Sequence, residues 1–429
     1  MPNDPTTPTA APSGEDLRAV VGPPSGRVFT RWSTVDLEVA EALTNGGSLQ
    51  RAADLCWSIM GDGRVRAGLE TRVKGLLKLP LTWEPGERAS SAPIAKLEGG
   101  DFYTAHSEAA LYVLAAWGHL LGVGVAQRVW ELRDGRWIGV LKPYDARLLR
   151  WDTTARKWMI RTASGEVEIK RGDRRWVLYA PSSSGAWPDG DERPWMYGAW
   201  RACSRAWLGK YFAWGDWQHH AEVHGSPIRT AELSDSTELL ELLTRKIKDD
   251  LIAQLGALGG NTAIIPPAGI KKLSLLEAVA KTWEMFPAVM DAASREIVIA
   301  ITGQASSTEV QQGQETGATL HGQVRQDLID ADARTLATCL REQCLRDYCA
   351  LNFEGGERAP WPKWRTDPPL NIRARGEAWK AFAEGIEAAE KVAPEGMEID
   401  RAAAFADAGI PLRKKPDAPP RPAPTGAAA

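Results

Sequence analysis

The stretch "FPAVMDAASREIVIAITGQASSTEVQQGQETGATLHGQVRQDLIDADARTLATCLREQCLRDYCALNF", Phe286 to Phe353, sets two helical patterns on either side of a polar interval. In its second half Leu320, Val324, Leu328, Leu336, Leu340, Tyr348 and Leu351 recur at threes, fours and their sums, the spacing of one apolar helix face. This predicts a single helix from about Leu320 to Asn352, on the order of 45–50 Å long. The interval, Ile301 to Gln323, contains no Lys or Arg, two carboxylates, five glutamines and four glycines. So polar a segment between two helices reads as a loop that packs little core.

Outward from that stretch, a chain of 429 residues exceeds one ordinary core, so about two or three structural regions are expected. The hydrophobic fraction of 44 % and charged fraction of 25 % are those of a folding chain. A net charge of -3 and a pI near 6.2 give no global attraction to phosphate, which argues against sequence-specific DNA binding. Five cysteines, with no CxxC, fit free thiols in a reducing compartment. The N-terminus has neither the basic start nor the apolar core of a signal peptide, and no apolar run is long enough to span a bilayer. A soluble, intracellularly made chain with no membrane contact is expected. Nineteen tryptophans, against seven Tyr and seven Phe, suggest self-association, because Trp is favoured at interfaces.

Both ends, 1–30 and 412–429, are rich in Pro, Ala, Thr and Gly and read as disordered tails. After the first tail, "LQRAADLCWSIMGDGRVRAGLETRVKGLLKL" and "HSEAALYVLAAWGHLLGVG" carry helical spacing. The following run, Val125 to Pro181, alternates large apolar with polar residues, and Asp134-Gly135 and Ser164-Gly165 supply hairpin turns. It predicts an antiparallel sheet bearing Trp130, Trp137, Trp151, Trp158 and Trp176. A helix is expected from Pro194 to His224, with Trp200, Trp207, Tyr211, Trp214 and Trp217 on one flank. A small unit follows: a strand "PIRTAEL", a helix "STELLELLTRKIKDDLIAQLGAL" and a strand "NTAIIPPAG". It is too small to complete its own burial. A helical pair, "EAWKAFAEGIEAAEKV" and "DRAAAFADAG", comes last.

No catalytic set converges. Asp216, His220 and His224 fall at i, i+4 and i+8 of one helix face, a spacing that can hold a metal, and a metal-dependent hydrolase is one alternative, an oligomeric scaffold or adaptor protein being the other. HExxH is absent, and histidines near a helix C-terminus also complement its dipole. The serines of "PSSSGAW" lack a GxSxG context. Cys339, Cys344 and Cys349 are spaced by five, about 140° apart on a helix, so they do not gather as ligands. "GDGR" at Gly61 lacks the GK[ST] of a P-loop, and "IKRGDRR" at Ile169 reads as a hairpin with local positive charge. The expectation is a protein without catalytic residues, metal or cofactor.

The order of the elements carries a resemblance. "FPAVMDAASREIVIAITGQASSTE", followed after a polar stretch by "VRQDLIDADARTLATCLREQCLRDYCALNF", resembles tailed-bacteriophage portal proteins of the Mu-like branch. "GRWIGVLKPYDARLLRWD", "RTASGE" and "HGSPIRT" fall where that family has two hairpins and the exit from a long helix. The likeness spans about Arg31 to Pro411. "DERPWMYGAW" replaces a Gly-rich turn, and the loop is unusually rich in Gln.

The resemblance implies an α+β, portal-type architecture: an α/β wing (31–193), a first stem helix (194–225), a clip (226–272), a second stem helix (273–304), a tunnel loop (305–319), a tunnel helix (320–353) and a helical crown (354–411). It implies a ring, usually dodecameric, at one capsid vertex of the virion, assembled in the host cytoplasm, through which double-stranded DNA passes non-specifically. Partners implied are the terminase large subunit, head–tail adaptors, and the major capsid and scaffold proteins. The tunnel loop would present Ser306, Ser307, Thr308, Glu309, Gln311, Gln312, Gln314 and Glu315 to DNA, polar yet without a cation to grip phosphate. The clip would dock terminase and adaptors through Ile228, Arg229, Lys246, Lys248, Asp249 and Asp250.

Overall fold

The computed structural model describes residues 13–18, 32–183, 187–224, 228–233, 249–250, 252–253, 270–276, 284–304, 315–366, 372–391, 400–401 and 404–405. They fall in two units, Met1–Thr366 and Asp367–Ala429. The first opens with α1 (Thr34–Asn45), started by a capping box in which Ser33 Oγ accepts from Asp36 N at 3.3 Å and Asp36 Oδ2 accepts from Ser33 N at 2.9 Å. α2 (Gln50–Ile59) follows. Asp62 then caps α3 (Gly63–Leu69), which runs on through a π-helical turn (Glu70–Lys74) into Gly75–Leu77. β1 (Leu81–Glu84) leads to α4 (Glu108–Leu121), capped by Ser107 and closed by Gly122 at φ 96°. A Cβ at Gly122 would lie 2.4 Å from Pro194 O, so only glycine fits there.

The expected single sheet is two three-stranded antiparallel sheets. β2 (Gly124–Arg133), β3 (Arg136–Pro143) and β7 (Trp176–Tyr179) make one, in the order β3-β2-β7. β4 (Leu149–Asp152), β5 (Lys157–Thr162) and β6 (Gly165–Ile169) make the other, in sequence order. Asp134 and Gly135 both take positive φ, 47° and 73°, the signature of a primed hairpin turn. The β5–β6 turn sits on Ala163 and Ser164, one residue earlier than read, because Gly165 already pairs with Thr162.

The first sheet is buried on both faces, which explains why Gly124 to Trp130 and all of β7 are inaccessible. Val125, Trp176 and Leu178 face one core with α1, α2 and the second sheet. Ala126, Val177 and Tyr179 face another with α4 and the long helix. The split follows the two-residue period of a strand. The tryptophans serve mainly these cores: Trp158 packs edge-on against Trp151 and Trp195, with ring centroids 5.3 and 5.6 Å apart.

One correction concerns the N-terminal tail. Residues 13–18 dock between the two sheets rather than remaining unpacked. Leu17 is buried, Gln127 Oε1 accepts from Leu17 N at 3.0 Å, and Gln127 Nε2 donates to Glu15 O at 2.7 Å. Tyr144 Oη donates toward Leu17 O at 3.2 Å. Main-chain recognition of this kind is blind to side-chain composition, which is why a Pro/Ala/Gly-rich reading missed it.

Beyond the sheets the chain builds α5 (Trp200–His224), entered through a 3₁₀ turn (Pro194–Tyr197), then β8 (Ile228–Leu233) paired antiparallel with β9 (Ile270–Leu276). α6 (Met285–Thr302) and α7 (Glu315–Leu340) follow. A π-helical turn (Arg341–Leu345) joins α7 to α8 (Arg346–Asn352), so helix runs unbroken from Glu315 to Asn352. Asn352 ends it by bonding both main-chain groups of Trp137, at 2.7 and 2.9 Å. β10 (Trp361–Trp364) pairs antiparallel with β1, so the segment after the long helix, expected within a helical crown from 354, returns to the first unit as a strand. The second unit holds α9 (Ile372–Glu390), with Phe382 edge-on to Phe405.

Candidate functional site

The long helix and its neighbours form the centre of the candidate site. Leu336, Leu340 and Tyr348 of the expected stripe are buried, Leu328 and Leu351 are half-buried, and Leu320 and Val324 lie among residues whose side chains are not described. Glu315 to Thr319, read as loop, are the first turn of α7. A glutamate there meets the positive end of the helix dipole, which favours an earlier start. Ser306, Ser307, Thr308, Glu309, Gln311, Gln312 and Gln314 lie outside the described residues.

Asp332 stands on the same i+4 series as Leu328, Leu336 and Leu340, and it is buried. Arg72, from the π-helical turn after α3, accounts for it. Arg72 Nε and Nη2 donate to Asp332 Oδ2 and Oδ1 at 2.6 and 2.9 Å, and Nη1 donates to Ile301 O at 2.9 Å in the last turn of α6. His119 Nε2 lies 3.5 Å from Asp332 Oδ2. Burial, with the Arg72 charge acting in the same direction, pushes the His119 pKa down to about 4, so the ring is neutral at pH 7. One guanidinium thus holds the end of α6 and the middle of α7 together. Sequence reading missed this node, yet it carried a signal: an aspartate inside an apolar stripe needs a buried partner.

The lower end of the helix is held likewise. Tyr348 Oη donates to Asp101 Oδ2 at 2.6 Å, and Arg136 pairs with Asp101 through Nε and Nη2 at 2.8 and 3.0 Å. Burial pushes the Asp101 pKa upward, but the bonds from Arg136 and Tyr348 outweigh it and leave the carboxyl below its usual range. Arg341 is fully buried, bonds Ala359 O and Glu87, and stacks 4.2 Å from the Trp361 ring centroid.

α5 and α6 pack along each other, and the His220 ring meets Phe286 with centroids 5.9 Å apart. Asp216 and His220 share α5 as expected, and His224 is its last residue. Among the described residues no group of three His, Cys, Asp or Glu could hold a metal, and no helix is long and apolar enough to cross a membrane. All five cysteines are free and buried, and burial pushes the Cys344 and Cys203 thiols up to about 12.

In the expected clip, Ile228 and Arg229 begin β8, opposite Leu276 and Leu275 of β9. The partner strand is therefore Ile270–Leu276, while the "NTAIIPPAG" segment read as that strand lies outside the described residues. The strand crosses the boundary placed at 272, and the helix expected from 273 begins at Met285. Asp249 and Asp250 are helical and exposed; Lys246 and Lys248 lie outside the described residues.

A long helix, a pair of packed helices and a two-stranded antiparallel sheet, together with a two-core α+β body, make up the described fold. A chain in the virion of a native gene transfer agent (GTA) particle has this fold, with a TM-score of 0.53 and 13 % identity, covering 89 % of this chain and 100 % of that one. A chain in the neck of a native GTA particle computed with C12 symmetry gives 0.53 and 12 %, with coverage of 89 % and 100 %. Another, in the neck of an empty GTA particle computed with C6 symmetry, gives 0.53 and 13 %, with coverage of 83 % and 94 %. No curated protein sequence matches the chain. The family model for the portal protein of Mu bacteriophage matches residues 53–407, and the chain belongs to that family of phage portal proteins. The family is a structural one.

Proposed function

We propose that the chain assembles into a closed ring, a dodecamer, at one vertex of a phage-type capsid, and that its central channel passes double-stranded DNA during packaging and ejection. The observation that carries this reading is the family match over most of the chain. The fold shared with a neck chain of a particle computed with C12 symmetry agrees with it. In this reading the two-sheet body is the wing, α5 and α6 the stem, β8 and β9 with the chain between them the clip, and α7 with α8 the tunnel helix. The second unit is the crown.

The loop between α6 and α7 faces DNA. Its residues 305–314 carry no Lys or Arg, so the ring guides the duplex without the counterion-release affinity that would stall it. The clip docks the terminase large subunit and then head–tail adaptors. The capsid and scaffold proteins meet the outer body, and the assembled ring resides in the virion after assembly in the host cytoplasm. The chain itself performs no chemistry; packaging is driven by a separate ATPase.

An end-on particle image of the purified full-length protein tests the reading. A closed ring with a central hole near duplex width is expected. A monodisperse monomer, or a closed assembly without a hole, would remove the channel from the proposal.

A further inference from the structure

His106 and Arg128 are both buried, and each carries polar atoms with no partner among the described residues: His106 Nε2, and Arg128 Nε and Nη1. Both side chains line one cavity of about 10 Å³, with Leu97, Asp101, Trp130 and Tyr348 among its walls. Unpaired buried donors and acceptors are costly, so this cavity calls for an occupant.

The remaining atoms of the two side chains fix what that occupant must be. His106 Nδ1 lies 3.2 Å from Phe102 O, and a carbonyl oxygen only accepts, so Nδ1 holds the proton and Nε2 presents a lone pair. Burial pushes the His106 pKa down to about 4, so the ring stays neutral at pH 7. Arg128 Nη2 is engaged by Asp347 Oδ2 at 2.6 Å, which leaves Nε–H and Nη1–H as donors. The occupant must therefore donate to His106 and accept from Arg128. A metal cation is repelled by the guanidinium, and a halide has no proton for the lone pair. The volume is that of about one water molecule.

We propose that one ordered water occupies this cavity, donating to His106 Nε2 and accepting from Arg128, as a fixed part of the joint between the wing sheet and the long helix. Arg128 lies on β2 and its partner Asp347 on α8, beside Tyr348 and its bond to Asp101. The water joins His106, at the turn before α4, to that same contact. It completes the set of hydrogen bonds that seats the end of the helix on the sheet.

The test is a map of the full-length protein at a resolution that shows ordered water. One peak is expected within about 2.7–3.2 Å of both His106 Nε2 and an Arg128 nitrogen. Crystals grown with bromide are expected to show no bromine signal there, and xenon is expected not to enter. No peak in the wild type, a bromide in the cavity or a xenon atom in it each overturns the proposal. His106→Phe keeps a ring and removes the acceptor, so it is expected to lose the peak; a peak that persists unchanged overturns the role given to His106. The wild-type map decides by itself if that variant fails to fold.

Discussion

Arg72 and Asp332, 260 positions apart, meet as a bidentate pair whose side chains keep only 19 % and 5 % of their exposure. The same guanidinium reaches Ile301 O at the negative end of α6. Arg72→Met leaves a buried carboxylate without its partner, and a loss of about 3–5 kcal/mol in unfolding free energy is expected. Arg72→Lys is expected to recover only part of it, since an ammonium cannot bond both carboxylate oxygens and a carbonyl in one plane. Urea unfolding of the three proteins measures this, and equal midpoints for Met and Lys would show that the fork geometry is irrelevant.

The buried histidines make stability pH-dependent in one direction. His106 and His119 both have folded pKa values near 4 against an ordinary 6.5, in each case first because of burial. Between those values the unfolded chain binds more protons, so stability falls as pH drops through the window from 6.5 to 4 and is flat for these groups above it. Each is expected to contribute a loss on the order of 3 kcal/mol by the acid end. Asp36 and Asp101, with lowered pKa values, add their losses only below the ordinary carboxylate range. Unfolding midpoints across this range check the sign; a midpoint that rises on acidification would contradict it.

Leu17 is the single apolar anchor of the segment docked between the sheets. Leu17→Ala is expected to cost about 2–4 kcal/mol locally. It should also speed amide exchange at Ala163, whose N–H donates to Leu17 O at 3.3 Å. Unchanged exchange at Ala163 would mean that the segment does not hold the sheets together.

What the sequence made legible was whatever periodicity and turn chemistry encode. The apolar stripe from Leu328 to Tyr348 gave the long helix, and Asp134-Gly135 gave its hairpin, because both signals are local. The split into two sheets was hidden, since alternation along each strand is the same whether the strands share one sheet or two. The docking of residues 13–18 was hidden because it rests on main-chain groups read by Gln127. The pairing of β10 with β1 was hidden too, being a contact between Leu81 and Trp364 across most of the chain. Of the candidate site, the polarity of residues 305–314 was plain in composition. The node of Arg72 with Asp332 and Ile301 depended on a partner that no local pattern names.

Residues 305–314 offer the sharpest test of the proposed channel. Residues 305–314 carry no cation, and a ring multiplies any substitution by the number of its subunits. Gln311→Lys with Gln314→Lys adds two cations per chain, facing phosphate at close range if the loop lines the channel. Each phosphate contact contributes about one unit of slope to the logarithmic salt dependence of binding, so a few simultaneous contacts shift affinity by orders of magnitude between low and physiological salt. Assembly is expected to be unaffected, since each substitution exchanges one long polar side chain for another. Packaging is expected to slow or stall, and the defect to ease as salt rises. Packaged DNA length and ring assembly across a salt series measure both. Unchanged packaging at low salt in intact mutant rings would mean that this segment does not meet DNA.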